Sequence, residues 1–444
     1  MVEMYLPDSV KACIDSLESA GFSAYAVGGC VRDSLLGLCP QDYDLCTSAS
    51  PADMRRIFSH YRLVLAGEKH GTVAVITEDG PVEITTYRTE GDYTDSRHPG
   101  WVQFVTDVEA DLARRDFTVN AMAYSPYRGF ADPFGGREDL KNKCLRTVGD
   151  PCARFTEDAL RILRGVRFAV RYHLVPDTAT SLAMEALTPL TDNLARERVM
   201  HELCGLLPLV TAEDLLRFAP ILTRMIPSLA PLVGFDQCSP HHAYDLYTHT
   251  AHVVEGTPSK LHLRWAALLH DVGKPGSFYL DEAGRGHFPG HAKVGAEMAD
   301  AILRGLKAPN SLRDEVVDLI ARHMSPLEPD RKLLRRRLGK YGMDATRDLL
   351  ILQQADYAAK GTKETTNHFR DVSALLDQLQ AEDACLTLKD LAVSGHDLIA
   401  LGFVPGPAIR HCLESLLAAV QEELLPNTRE ALLEAAATHQ TSLP

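Results

Sequence analysis

The sequence predicts an α+β protein, a mixed sheet-and-helix head followed by an all-helical remainder. Three observations predict it. The short β-like runs SAYAV, TVAVIT, VEITTY and WVQFV all fall before residue 106, and such runs bounded by turn residues read as strands. After Asp150 they fade, and apolar residues recur at helical spacing almost to the end, the pattern of helices with one buried face. A chain of 444 residues is too long for one compact core and divides into about two to four units. We therefore expect an α/β head over 1–145, a helical neck over 146–230, a helical body with most of the histidines over 231–365, and a helical tail over 366–444. Proline-bearing breaks near Pro208, Pro227 to Pro231 and Ser239-Pro240 mark the joints.

With 45% hydrophobic and 24% charged residues, the composition is that of a soluble globular protein. No apolar run approaches a bilayer span, and the start MVEMYLPDSV lacks the layout of a secretion signal. A cytoplasmic protein without a membrane partner is the expectation. The ten cysteines are scattered with no CxxC pair, which favours reduced, buried thiols over a disulfide or zinc framework. A formal charge of −14 argues against a generic polyanion binder. Between Ala110 and His173, however, twelve Lys/Arg face eight Asp/Glu, a local +4.

The first chemically loaded stretch is GGCVRDSLLGLCPQDYDL, Gly28 to Leu45. In a strand, side chains two apart share a face, so Asp42 and Asp44 would point the same way with converging oxygens. Magnesium, which prefers oxygen ligands and keeps positions for phosphates, would neutralise such a pair. Gly28 and Gly29 remove side chains where a triphosphate must approach backbone N–H groups, and Arg32 can add charge-assisted hydrogen bonds. Two solvated acids on a surface turn are the plainer reading of an isolated DxD. Glu83, in VEITTYR, alternates onto one face of its strand, as a third carboxylate or a solvent-facing acid. In ARRDFTVNAMAY, Arg114 and Arg115 precede Asp116, and Asn120 lies among apolar neighbours where it needs partners. A Pro-Phe-Gly-Gly turn follows at Pro133 to Gly136.

Phe155 to Val170 reads as one helix, with Thr156 as N-cap and Glu157 and Asp158 in the first turn. Its apolar stripe leaves Asp158, Arg161 and Arg164 outside, with Asp158 and Arg161 neighbours on one face. A surface salt bridge is one reading. The sharper one is a nucleobase reader: cytosine and adenine each pair an exocyclic amino donor with a ring-nitrogen acceptor, which a carboxylate and a guanidinium match. Guanine and uracil mismatch both contacts.

The order GGCVRD, QDYDL, GEKHGTV, RRDFTVNAMAY, DPFGG and RFTEDALRILRGVRFA resembles the bacterial-type (class II) tRNA nucleotidyltransferases, the CCA-adding enzymes, and the related bacterial poly(A) polymerases. The resemblance covers about the first half of the chain and implies a polymerase-β-like nucleotidyltransferase head. It implies Mg2+ on Asp42 and Asp44, nucleotide contacts from Gly28, Gly29, Arg32, Arg115, Asp116, Asn120, Asp158, Arg161 and Arg164, CTP and ATP as substrates, and the tRNA 3′ acceptor end as partner, with no DNA. Asp158 and Arg161 fall on its protein-template motif. GEKHGTVAVIT looks like the CCA-adding branch, and Tyr87 to Phe104 resembles the loop needed for the switch to ATP. Full CCA addition and A addition, as by a poly(A) polymerase, both stay open. RKLLRRRLGK, Arg331 to Lys340, with six basic residues, is a second candidate RNA contact or a solvated helix.

A second constellation lies in the body. His270-Asp271 closes the run LHLRWAALLHDVGKP, and His249, His291, His323 and Asp356 each lie on or beside a probable helix. Mixed imidazole and carboxylate ligands suit a divalent transition metal with hydrolytic chemistry. This resembles an HD-domain phosphohydrolase, whose H…HD…D pattern maps onto His249, His270, Asp271 and Asp356, with His291 and His323 for a second metal. An inherited fold without activity, or a phosphohydrolase whose head merely binds RNA, are the competing readings.

Overall fold

The computed structural model describes residues 4–91, 102–239, 243–360, 367–382 and 387–440. The chain separates into two compact units, Met1–Val210 with Arg217–Pro227, and Thr211–Leu216 with Ser228–Pro444.

The first unit is built on a mixed seven-stranded sheet in the order β3-β4-β5-β2-β1-β8-β9. Its strands are β1 (Ala24–Val27), β2 (Asp44–Thr47), β3 (Arg62–Val64), β4 (Thr72–Thr77), β5 (Gly80–Thr86), β8 (Ala123–Ser125) and β9 (Gly129–Ala131). β6 (Arg88–Glu90) and β7 (Val102–Phe104) form a separate antiparallel ribbon. The four β-like sequence runs therefore all become strands. β2 and β5 run parallel and the other pairs antiparallel. Alternation in β5 buries Val82, Ile84 and Thr86 and leaves Glu83 exposed, the period-two pattern of a sheet with one wet face. Tyr25, Val27, Cys46, Tyr87, Leu112 and Val148 pack into one core beneath it.

Helices follow, several started by aspartate caps. Asp150 accepts from the Ala153 N–H at 2.8 Å and Pro151 takes the first position of α2, both features that satisfy or dispense with orphan N–H groups. The elements used below are α1 (Gly29–Leu35), α2 (Pro151–Glu157), α3 (Leu160–Tyr172) and α4 (Arg196–Leu206) in the first unit. The second unit contributes α5 (Leu246–Gly256), α6 (Leu261–Leu269), α7 (His291–Gly305), α8 (Asn310–Arg322), α9 (Arg331–Tyr341) and α10 (Met343–Ala358).

Two expectations need correction. Asp42 lies outside the strand, because β1 pairs Ala26 with Leu45 and then turns away at Gly28, so the chain before Asp44 has no ladder partner on that side. The helix expected over Phe155 to Val170 is broken. Asp158 sits in extended backbone (φ −144°, ψ 101°) between α2 and α3, and Thr156 is inside α2 rather than its N-cap. The cause is local: the Asp158 carboxylate accepts from the Leu160 N–H at 3.0 Å, a side-chain bond that competes with helix continuation.

The second unit is almost entirely helical. Tyr279–Leu280 and Gly286–His287 form a short hairpin, and a separate apolar core, including Leu398, Leu416 and Leu432, organises the tail. No described helix is long and apolar enough to cross a membrane, and no disulfide links the described cysteines.

Candidate functional site

In the first unit the site forms at the end of β2. The parallel register places Asp44 beside Glu83, so side chains of adjacent strands share a face. Asp44 retains solvent contact, yet the protein around its carboxyl and the nearby charges of Asp42 and Glu83 raise its pKa to about 6 against the opposing pull of Arg115. Three oxygen-donor acids in mutual repulsion suit a hard cation such as Mg2+. Their ligand atoms do not form a ready-made group within 4.8 Å.

Next to these acids the chain makes its glycine turn. Gly28 has φ +76°, and an added Cβ would stand 2.8 Å from Arg115 Nη1; a side chain there would be strained and would collide with the guanidinium. Arg115 donates to Asp111 at 3.4 Å, while its buried Nε has no protein acceptor. Arg115 therefore connects the acids with the turn and keeps a donor in reserve.

Asp116, Asn120, Arg164 and Arg32 come together as one network. Asp116 accepts from Arg164 Nε at 2.9 Å, from Asn120 Nδ2 at 3.0 Å and from the Phe117 N–H at 2.8 Å. Burial would push its carboxyl up, but Arg164, the Asn120 amide and the Phe117 N–H outweigh it and hold the pKa at about 2. Asn120 Oδ1 in turn accepts from Arg32. Arg32 is enclosed rather than presented to solvent, with its donors also on Asp33 and Tyr172.

Asp158 and Arg161 are not paired with each other. Asp158 Oδ2 accepts from Arg198 on α4 at 2.8 Å. Arg161 donates to Glu157 at 2.6 Å, to the Arg154 carbonyl at 3.1 Å and to the Arg114 carbonyl at 3.3 Å. The break at Asp158 removes the shared helix face that a three-residue spacing assumes. Pro133 to Gly136 does turn, with Gly135 at φ +74° and Asp132 accepting from the Gly136 and Arg137 N–H groups. The loop from Tyr87 to Phe104 is described only at its ends, as β6 and β7; residues 92–101 lie outside the described residues.

In the second unit, all six expected ligands converge. His249, His270, Asp271 and Asp356 form one group, and Asp271, His291 and His323 another, with ligand atoms within 4.8 Å of one another. His249 Nε2 lies 3.0 Å from Asp356, and His270 Nε2 lies 3.0 Å from Asp271. His270, His291 and His323 each place Nδ1 2.7–2.8 Å from a backbone carbonyl, of Ala267, Phe288 and Ile320. Nδ1 must be the donor there, so in the neutral ring each Nε2 is a lone pair aimed inward. His291 Nε2 and His323 Nε2 then face each other at 3.2 Å, two lone pairs that need a cation or proton. Asp271 is fully enclosed with His270 Nε2 and the Lys274 ammonium beside its Oδ2, at 3.0 and 2.7 Å, while its Oδ1 lies 3.4 Å from His291 Nε2. The buried donor set, with its ligand atoms within 4.8 Å of one another, fits a divalent metal. Burial and neighbouring His270 push His323 down to about 4, which keeps it neutral, the ligating form.

Sequence reasoning missed Tyr172, Arg198 and Asp111 in the first unit and Lys274 and Gln237 in the second. Lys274 lies 2.7 Å from Asp271 and 3.0 Å from Gln237. Lys274 stood in the quoted GKP stretch; the others carry no spacing signal. In α9, Arg331, Arg335 and Arg336 are engaged by Glu382, Glu422 and Glu423, so half of the expected basic patch is neutralised within its own unit.

A mixed sheet with acids at a strand edge, beside a glycine turn and an arginine-rich helix, defines a nucleotidyltransferase head. Residues 24–146 match the family described as Poly A polymerase head domain, and residues 290–436 the one described as tRNA nucleotidyltransferase domain 2 putative. The CCA-adding enzyme of Latilactobacillus sakei subsp. sakei (strain 23K) is 33% identical over 97% of this chain and 98% of its own. That of Geobacillus stearothermophilus is 32% identical over 94% of both chains. The solved Bacillus stearothermophilus CCA-adding enzyme in complex with CTP is similar with a TM-score of 0.71 and 28% identity, over 98% of both chains. The Thermotoga maritima CCA-adding enzyme complexed with tRNA-CCA shares the fold, with a TM-score of 0.60 at 18% identity over 99% of this chain and 97% of its own. The chain belongs to the CCA-adding enzyme family of tRNA nucleotidyltransferases.

Proposed function

We propose that the protein adds C, C and A to tRNA 3′ ends from CTP and ATP without a nucleic-acid template. The observation that carries this reading is the register of Asp44 with Glu83 beside the Gly28 turn, within a chain similar throughout its length to CCA-adding enzymes. Asp42, Asp44 and Glu83 would hold Mg2+, which when bound acidifies the attacking 3′ hydroxyl and offsets phosphate charge. The bare backbone at Gly28-Gly29 receives the triphosphate, and the unused Nε of Arg115 supplies a cationic donor. On this reading Asp158 exchanges Arg198 for the amino proton of cytosine or adenine, and Arg161 exchanges Glu157 for the ring nitrogen. A good bidentate contact discriminates by about 1–3 kcal/mol, and stranding buried partners adds to that, enough to reject G and U.

The test is incorporation into tRNAs ending before CCA, after C and after CC, with each NTP supplied separately. CMP added to the first two, and AMP only to the third, is the expected result. AMP incorporation alone would indicate an A-adding enzyme or poly(A) polymerase, and no incorporation would overturn the reading.

A second activity is favoured by the facing Nε2 atoms of His291 and His323 and the enclosed carboxylate of Asp271 between the two donor groups. On this reading His249, His270, Asp271 and Asp356 hold one divalent transition metal, His291 and His323 join Asp271 around a second, and the unit hydrolyses phosphoesters of nucleotides or RNA 3′ ends. Release of phosphate or nucleoside from such substrates with added Mn2+ or Ni2+, lost in His270→Ala, would support it; no turnover with any of them would leave only a metal-binding scaffold.

A further inference from the structure

A closed polar circuit joins the glycine turn to α3. Arg164 donates to Asp116 at 2.9 Å, and Asp116 accepts from Asn120 at 3.0 Å. Asn120 Oδ1 accepts from Arg32 Nη1, and Arg32 Nη2 donates to the Tyr172 hydroxyl at 2.5 Å. Arg164 and Tyr172 both belong to α3, so the circuit leaves the helix at one point and returns eight residues later, about 12 Å further along its axis. The amide orientation of Asn120 is fixed by its neighbours, since only its oxygen can face the guanidinium and only its nitrogen the carboxylate.

Arg32 is the joint of this circuit. Its guanidinium carbon lies 4.1 Å from the Tyr172 ring centroid and 5.3 Å from that of Phe168, its Nε donates to Asp33 at 2.8 Å, and the residue is 6% exposed. An arginine stacked on aromatic faces, with Nε and both terminal nitrogens directed at protein acceptors, serves the scaffold before it can serve a phosphate. It follows Gly29, the first residue of α1, by three positions, so whatever holds its side chain also holds the turn.

We propose that Tyr172 and Arg32 are positioning residues that latch the base-reading helix to the Gly28-Gly29 turn. The two attachment points stop α3 from pivoting about Arg164, and so hold Arg161, the base-reading side chain on this helix, at one fixed spacing from the triphosphate. A nucleotide is then accepted only when its base edge and its phosphates fit together. This rests on the nucleotidyl-transfer reading above and reassigns Arg32 from phosphate contact to support.

The experiment compares the full chain with Tyr172→Phe, Arg32→Lys and the double variant, measuring CMP incorporation into tRNA lacking CCA, UMP misincorporation and the thermal midpoint. Tyr172→Phe keeps the ring and removes the hydroxyl, leaving a buried guanidinium donor unpaired. The expected result is a KM for CTP raised about tenfold, a smaller change in kcat and a higher UMP-to-CMP ratio, all persisting well below a thermal midpoint that the unpaired donor lowers only modestly. The double variant should be no worse than Arg32→Lys alone. An unchanged KM and UMP-to-CMP ratio in Tyr172→Phe, a loss that only tracks a lowered midpoint, or additive effects in the double variant would each overturn the latch. Failure of the unaltered chain to incorporate CMP would overturn the transfer reading and the latch with it.

Discussion

Asp44 stands at the start of β2 with Glu83 in register beside it and a carboxyl pKa of about 6. The unfolded chain has no such perturbation, so between about pH 4 and pH 6 the folded state binds the proton more tightly. This group's contribution to stability then falls as pH rises through 6. A cation gathered by the ionised acids reverses the loss. We predict that Mg2+ raises the thermal midpoint more at about pH 8 than at about pH 5, and that Asp44→Asn removes this difference. Equal Mg2+ shifts at the two pH values, measured by calorimetry, would contradict the assignment. The same substitution should lower CMP incorporation by about 10³-fold, since a metal-stabilised transition state is worth several kcal/mol. Asp116 has the opposite sign. Held at about 2 by Arg164 and the Asn120 amide against the effect of burial, it stabilises the fold above about pH 4, and that stabilisation is lost as pH falls towards 2. In an acid titration Asp116→Asn should flatten this limb.

At the scale of the element, the junction between α2 and α3 decides most. The spacing EDALR suggested one continuous helix face, because hydrophobic periodicity runs without interruption through Phe155, Ala159, Ile162 and Leu163, all buried. Periodicity reports which side faces the core, and it is silent on whether an aspartate bonds its own downstream backbone. Asp158 does, and Arg198 from α4 takes its other oxygen. Asp158→Ala should therefore cost about 1–2 kcal/mol in denaturant unfolding, the scale of a lost cap. It should also reduce the preference for CTP over UTP by about tenfold or more. Loss of stability with selectivity intact would assign Asp158 to structure alone. The strand elements were easier to read, since β4 and β5 alternate and Glu78-Asp79 turn between them, whereas nothing in the spacing announced that β2 starts only at Asp44.

At the scale of the molecule, two units carry two separate donor sets. The head acids are oxygen donors at a strand edge, and the body cluster is imidazole-rich and buried across α5 to α8 and α10. Substituting one set should leave the other working. In His270→Ala with Asp271→Ala we expect loss of tightly bound transition metal, measured by elemental analysis, with CMP incorporation kept within about twofold. In Asp42→Ala with Asp44→Ala we expect the reverse. A joint loss in either double variant would argue against independent sites.

The amino-acid order by itself determined the α+β class, the glycine turn before the paired acids, the histidine and aspartate members of the body cluster, and the family. These are carried by residue type at short spacing, where chemistry and local geometry suffice. Tertiary structure alone decided that Glu83 lies beside Asp44, that Arg32 is enclosed by Tyr172 and Asn120, that Arg198 holds Asp158, and that acids of the second unit neutralise half of the basic helix. Each of these joins residues 39 to 140 positions apart, and a side chain's partner at that separation is set by the packing of whole elements, which no local pattern records.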